Sequence, residues 1–387
     1  MSKGIDLRLI AIAVMVTLTV PAVGYGARNS RHSSRKTKPT VTKQVETPTP
    51  ESAKTDTAGS AAAAAAGQVP SVVVPSAEAE KVVTVPPADA VAPNPAGVTV
   101  VQPEASGECR APFPFTKKYT RMQRVLERRL RASGLGRYLD KKQLGVALVD
   151  LSVQGRAFYA GINDNDMMYA ASLPKIAILV SVIKAVNEGK LEWTHEYEER
   201  LSNMIRASSN TDASWGAEMA GLEGIESTMR DPEYCFYDNK SGGLWVGRQY
   251  GPRGGTNRDP LQNLSHAATA RQTARFYTML DEGLLVSKHW SFRMLGLMSP
   301  PAHHHKFVGG LEGTPGVTFL ARKSGSWRHW HSDSALIQHH GRRYVAVGIS
   351  ETSKGEKLMQ QLIKVLDDIV MDGDYRPRRD NRQASLP

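Results

Sequence analysis

The sequence predicts an α+β fold: an antiparallel sheet of N- and C-terminal strands packed against helices, with an all-helical subdomain. Two observations carry this. Residues 143–151 and 156–162 are apolar, strand-like runs joined by the turn Ser152–Gly155, a hairpin pattern. Three more such runs stand near the C-terminus: Val317–Arg322 leading into Lys323-Ser324-Gly325-Ser326, then Ala335–Gln338, then Tyr344–Ile349. The stretch between the two groups reads mainly as helix, so the first and last segments join in one sheet.

At the N-terminus, Met1–Arg8 carries Lys3 and Arg8, Leu9–Val23 is apolar, and Gly24, Gly26 and Ala27 follow. That is the charged, apolar and small-residue succession of a secretory signal peptide over residues 1–27. The apolar run is short for a membrane span, which needs about 20 apolar residues. An uncleaved signal anchor stays open as the alternative. Residues 28–107 follow, with six basic residues and no acidic one from Arg28 to Lys43, then Ala, Pro, Val, Thr and Ser, including Ala61–Ala66. With few large side chains to bury, this reads as a disordered tether spanning about 50 Å root-mean-square. The expected location is secreted or periplasmic, with attachment to a membrane if the leader is retained.

Residues 108–387 suffice for one large domain. The chain's formal charge is +11, and all but two of those charges fall here. A basic surface suits nucleic acid, anionic lipid or the acidic polymers of a cell envelope. No nucleic-acid motif accompanies it, so an envelope polymer is the expected partner. Cys109 and Cys235 are the two cysteines. Two readings stay open: a disulfide formed in an oxidising compartment, or two buried or unpaired thiols.

Within the domain, Thr116–Ala132 has Met122, Val125, Leu126 and Leu130 at helical spacing. Gln143–Leu151 has a buried middle at Val146–Val149, and Arg156–Ile162 returns beside it. Asp164–Ala171 leads into Ser172, and Ile176–Val186 is a nearly unbroken apolar helix. Ser172 and Lys175, three apart, share a face at the start of that helix. A lysine there is desolvated and near the positive end of the helix dipole, and both effects favour its neutral amine. Leu201–Ala207 forms a short helix ending in Ser208-Ser209-Asn210, and Asn210 opens another through Met219. Small residues at Ser324, Gly325 and Ser326 let a substrate lie along the strand that carries them. Lys354–Val370 closes the chain as an amphipathic helix.

Three short motifs thus occur in a fixed order: Ser172-Leu173-Pro174-Lys175, Ser208-Ser209-Asn210 and Lys323-Ser324-Gly325. From about Ala132 to Val370 the chain resembles the serine β-lactamase and penicillin-binding protein superfamily, most like class A β-lactamases, whose signatures are S-x-x-K, S-D-N and K-T-G. Ala268-Thr269-Ala270-Arg271, opening a helix to Leu280-Asp281-Glu282-Gly283, is similar to a segment that follows the active-site Ω-loop of that family. The resemblance implies a β-lactamase/transpeptidase-like fold with Ser172 as nucleophile and Lys175 as its base or part of a proton relay. It further implies that Ser208 passes the proton to the leaving nitrogen and Asn210 binds the substrate amide. Lys323 and Ser324 would hold the substrate carboxylate, and the N–H groups of Ser172 and Ser326 the oxyanion. The implied substrate is a β-lactam or a peptidoglycan peptide, with no cofactor.

Departures from the family pattern are informative. Ser172 and Ser208 are closer than in typical class A enzymes, so part of the helical region is trimmed. No Glu stands four residues before an Asn where the deacylating carboxylate belongs. Asp259-Pro260-Leu261-Gln262-Asn263 has that spacing with a shorter side chain, and Asp259 is either the water-positioning group or an Asp-Pro turn. For the arginine that binds substrate carboxylate, Arg328 or His331 is the nearest substitute. Gly242–Gly247 through Tyr250 is expected to pack in the core or to wall the site. His329-Trp330-His331-Ser332-Asp333 matches a zinc pattern, H-x-H-x-D, but lacks its following His and falls directly after a strand that already carries a motif, so no metal is expected. His303-His304-His305 reads as an exposed loop. Rival readings are a D-alanyl-D-alanine carboxypeptidase or other penicillin-binding peptidase, and a catalytically silent envelope-binding module.

Overall fold

A computed structural model describes residues 117–251 and 254–377. The leader and tether readings for residues 1–107, and Cys109, lie outside the described residues. The elements run α1 (Thr120–Ala132), α2 (Gly136–Asp140), β1 (Leu144–Val153), β2 (Arg156–Ile162), β3 (Met168–Tyr169) and α3 (Lys175–Asn187). Then come α4 (His195–Arg206), α5 (Asn210–Ala220), α6 (Leu222–Arg230), and short strands β4 (Tyr237–Asp238), β5 (Gly242–Gly243), β6 (Trp245–Val246) and β7 (His266–Ala268). The last part holds α7 (Ala270–Glu282), α8 (Lys288–Met298), α9 (Phe307–Leu311), β8 (Val317–Trp327), β9 (Trp330–His339), β10 (Arg342–Glu351) and α10 (Gly355–Asp372).

The main sheet has the order β2-β1-β10-β9-β8, antiparallel throughout. The α+β expectation holds, and β1 and β10 are the strands through which the first and last strand groups join. Both faces of this sheet are covered. Val146 and Leu148 of β1 join Met122, Leu126, Leu362 and Leu366 of α1 and α10 on one side. Ala147 and Val149 face the other side, with Phe276 and Leu280 of α7 and the apolar body of α3. Double coverage is why β1 reads as a continuous apolar run rather than an alternating one. β8 is left as an edge, and that edge borders the site.

α3 is buried from Lys175 through Ile183 because α4, α5 and α6 pack around it. Its all-round apolar sequence is the price of sitting at the centre of the helical subdomain. α7 begins where Thr269 Oγ1 accepts the Gln272 N–H and ends at Gly283, whose φ of 75° gives the left-handed cap.

Boundaries differ from the sequence reading in instructive places. α1 starts at Thr120 rather than Thr116. α4 starts at His195, six residues before Leu201, because Thr194 caps it and Glu196 and Glu198 fill its exposed first turn. β9 extends back to Trp330 through Ser332, Asp333 and Ser334, all buried, whose polar side chains find partners across the fold. Leu244, Trp245 and Val246 are core residues. Among the described residues no helix is long and apolar enough to cross a membrane.

Candidate active site

Ser172 sits in the turn entering α3, half-buried, with its carbonyl accepting the Lys175 N–H at 3.3 Å. The turn is fixed from two sides. Ser332 Oγ donates to Ala170 O at 2.9 Å, and the Tyr250 hydroxyl donates to Ala171 O at 3.1 Å. Ala171 itself holds φ at 53°, as do Lys306 at 53° and Ser208 at 58°. Three non-glycine residues at positive φ, one beside Ser172, one in the Ser208 motif and one against β8, mark a strained and over-determined site.

Lys175 is fully buried. Its ammonium donates to Ser208 O at 2.7 Å, Ser209 O at 3.1 Å and Asn210 Oδ1 at 2.8 Å, and lies 4.6 Å from the centre of the Tyr250 ring. Burial pulls its pKa down to about 7, against the opposing pull of the Asp212 charge. The consequence is chemical. A neutral amine has two N–H groups and one lone pair, so it cannot serve three acceptors, and the lone pair becomes available to a hydroxyl.

Ser208 follows α4 and Ser209 caps α5, accepting the Asp212 N–H at 3.2 Å. Ser208 Oγ accepts from Lys323 Nζ at 2.9 Å, and Lys323 also donates to Ser324 O at 2.8 Å. Burial and the nearby Lys175 charge push the Lys323 pKa well down. The two lysines thus meet at one residue, Lys175 on the Ser208 carbonyl and Lys323 on its hydroxyl. On the face of β8 opposite to Lys323 and Gly325, Ser324 Oγ is 3.4 Å from His305 Nε2, and Ser326 Oγ accepts from Lys306 Nζ at 2.7 Å. Burial drives the His305 imidazole down to about 4, so it faces Ser324 as the neutral ring.

The structure therefore brings Lys175, Ser208, Asn210, Lys323 and Ser324 into one hydrogen-bonded chain and sets the Ser172 turn against β8 at Gly325. A Cβ on Gly325 would fall 2.3 Å from Ala170 O and 2.7 Å from Ser172 N. Asp259 is bonded within its own turn and to Tyr237. Its Oδ1 accepts from the Tyr237 hydroxyl at 2.5 Å and the Leu261 N–H at 3.1 Å, and its Oδ2 from the N–H groups of Gln262 at 2.8 Å and Leu264 at 3.2 Å. Both oxygens are spent on closing the 259–264 turn and on holding the Tyr237 hydroxyl. Among the described residues no hydrogen bond joins Asp259 to Ser172, Lys175, Ser208 or Lys323.

Arg328 lies exposed in the β8–β9 turn, its guanidinium 5.7 Å from the Trp327 ring. Asp333 of the H-x-H-x-D pattern is committed to a buried ion pair with Arg322 at 2.8 Å. His303 and His304 are exposed, as expected of a loop, whereas His305 and the adjacent Lys306 turn inward. His305 and Lys306 are the site residues that sequence reading did not assign, while Tyr250, read as core packing or a wall of the site, lies against Lys175. No spacing rule marks them, because they arrive from loops whose course is set by the packing around them.

Comparison with known proteins decides the family. A model described as the beta-lactamase enzyme family matches residues 125–211 and 198–372, more than half of the chain. The chain belongs to the beta-lactamase enzyme family. It is accordingly a serine hydrolase of the β-lactamase and penicillin-binding type. Among solved structures, a point mutant of PBP-A, determined as an acyl-enzyme complex with penicillin G, is similar at 17% identity and TM-score 0.51, covering 68% of this chain and 100% of that one. A β-lactamase from Sphaerobacter thermophilus is similar at 16% identity and TM-score 0.49, covering 66% and 97%. A class A β-lactamase from Bacteroides cellulosilyticus gives 14% identity, TM-score 0.49, 66% and 98%. At 17% identity the likeness to PBP-A is one of fold. No curated protein sequence matches.

Proposed function

We propose that this beta-lactamase family member is an extracytoplasmic serine hydrolase that opens a β-lactam amide through an acyl-enzyme on Ser172. The observation that carries the proposal is Lys175, sealed three residues after Ser172, bound to the Ser208–Asn210 turn and holding its proton only up to about pH 7. Neutral Lys175 takes the Ser172 proton as Oγ bonds to the lactam carbonyl carbon. The N–H groups of Ser172 and Ser326 receive the oxyanion, at about 3 kcal/mol per donor. The C–N bond then breaks as the Ser208 hydroxyl gives its proton to the ring nitrogen, and Ser208 recovers a proton from the lysine pair. Asn210 spends its oxygen on Lys175, so its NH₂ is free for the substrate amide, while Lys323 and Ser324 face the substrate carboxylate. The leader at residues 1–27 and a disulfide-bonded Cys235, for which the sequence offers Cys109 as partner, support an oxidising compartment.

A second reading has its own support. With both Asp259 oxygens occupied, water activation for the second half-reaction lacks that carboxylate, which favours a penicillin-binding peptidase acting on peptidoglycan peptides. Mass spectrometry of the protein mixed with a penicillin, beside Ser172→Ala, separates the readings. A transient adduct with accumulating product supports the β-lactamase. A persistent adduct supports the peptidase, and no adduct on the unaltered protein sinks both.

Asp259→Ala follows as a further expected result. It strands three backbone N–H groups and the Tyr237 hydroxyl, so the melting temperature should fall by about 5 °C or more. The acylation rate of the folded protein should stay within about twofold. Thermal melts and adduct time courses check both, and a large loss of deacylation alone would restore Asp259 to catalysis.

A further inference from the structure

Lys306 has no part in the mechanism above, yet its side chain is fully buried within reach of the oxyanion strand. Its ammonium donates to Gly325 O, to Ser326 Oγ at 2.7 Å and to Ser332 O at 3.1 Å, so all three protons are placed. The carbonyl of Gly325 and the N–H of Ser326 are two ends of one peptide group. A cation on that oxygen draws density through the C–N resonance and makes the N–H a stronger donor. It also fixes the plane of the peptide, and with it the direction in which the N–H points.

We propose that Lys306 is a positioning residue for acyl transfer, which orients and polarises the Gly325–Ser326 peptide so that the Ser326 N–H binds the developing oxyanion more strongly. The proposal rests on acylation at Ser172 and on Ser326 as an oxyanion donor. The groups around Lys306 are Arg322 and Lys323 on β8, Asp333 and His331 on β9, Glu356 on α10, and His305 beside it. Burial and the Arg322 charge lower its pKa while Asp333 and Glu356 raise it, and the balance falls at about 8. The cation is therefore present at neutral pH. A lysine that merely tied β8 to β9 would share the geometry but not the electronic effect, which is what the test reads.

The probe is a penicillin carrying ¹³C at the lactam carbonyl, with the acyl-enzyme ester band followed by infrared difference spectroscopy and the acylation rate by mass spectrometry. Lys306→Met should acylate about tenfold to a hundredfold more slowly. Its ester band should move to higher wavenumber, as expected for weaker hydrogen bonding to the carbonyl. Lys306→Gln, which keeps one neutral donor, should fall between. A folded Lys306→Met with the wild-type band and rate overturns the proposal. Should both variants fail to fold, the unaltered acyl-enzyme is measured from pH 7 to 9.5. The band should rise as the cation is lost, and a band fixed across that range overturns the proposal. No ester band on the wild type would instead refute acylation at Ser172 itself.

Discussion

Lys175→Met is expected to slow acylation of Ser172 by a penicillin by about a thousandfold, within the range for loss of a positioned general base. Met fills nearly the same volume, so the buried channel beside Tyr250 stays packed. What is lost is the one group that can take the serine proton. The acceptors Ser208 O, Ser209 O and Asn210 Oδ1 lose their donor, which destabilises the turn, but removing a desolvated charge works in the other direction. The variant should therefore fold and still carry a slow adduct on Ser172, located by peptide mapping, whereas Ser172→Ala should carry none. A Lys175→Met protein acylating at the wild-type rate would remove Lys175 from the mechanism.

The same residue fixes a pH dependence. The reactive form is the neutral amine, so below about pH 7 its fraction falls tenfold per unit and the acylation rate should fall with it. Above pH 7 the rate should level off. Adduct formation measured from pH 5 to 8 checks the sign: a rate that rises toward acid would mean that the ammonium, not the amine, is required. Burial and the Lys175 charge also hold the Lys323 pKa well down.

Much of this site was legible in the sequence, for a physical reason. An apolar helix directly behind Ser172-Leu173-Pro174-Lys175 forces Lys175 inward, so burial of the lysine could be inferred before any contact was seen. Ser208-Ser209-Asn210 at a helix junction and Lys323-Ser324-Gly325 in a strand were legible in the same way, because local structure decides which way their side chains face. Asp259 shows the limit. An Asp four residues before an Asn looks the same in sequence whether its oxygens meet a cleft or donors of its own fold, and here they meet three N–H groups of its loop and the Tyr237 hydroxyl. His305 and Lys306 were hidden in a run of polar residues that reads as solvated. Their inward turn depends on Arg322, which donates to His303 O and His305 O while pairing with Asp333. The polar start of β9 was hidden for the same reason, since Asp333 in a strand is tolerable only beside that arginine.

Gly325→Ala should have the second large effect, and it joins the fold to the chemistry. The added methyl would meet Ala170 O at 2.3 Å, Ser172 N at 2.7 Å and Ser332 Oγ at 2.7 Å. Two of these are backbone atoms of the nucleophile turn, already held by Ser332 and Tyr250, so the turn cannot swing aside without breaking those bonds. The edge strand β8 must move instead, and with it the Ser326 N–H that the proposed mechanism uses as an oxyanion donor. Displacing one oxyanion donor costs about a hundredfold to a thousandfold in rate. Because β8 is an edge strand, its shift should propagate little beyond β9, so the melting temperature should fall by far less than the rate. Acylation kinetics and a thermal melt on the same preparation test this. A Gly325→Ala protein that acylates within a few fold of the wild type would mean that β8 does not set the distance between the two N–H groups.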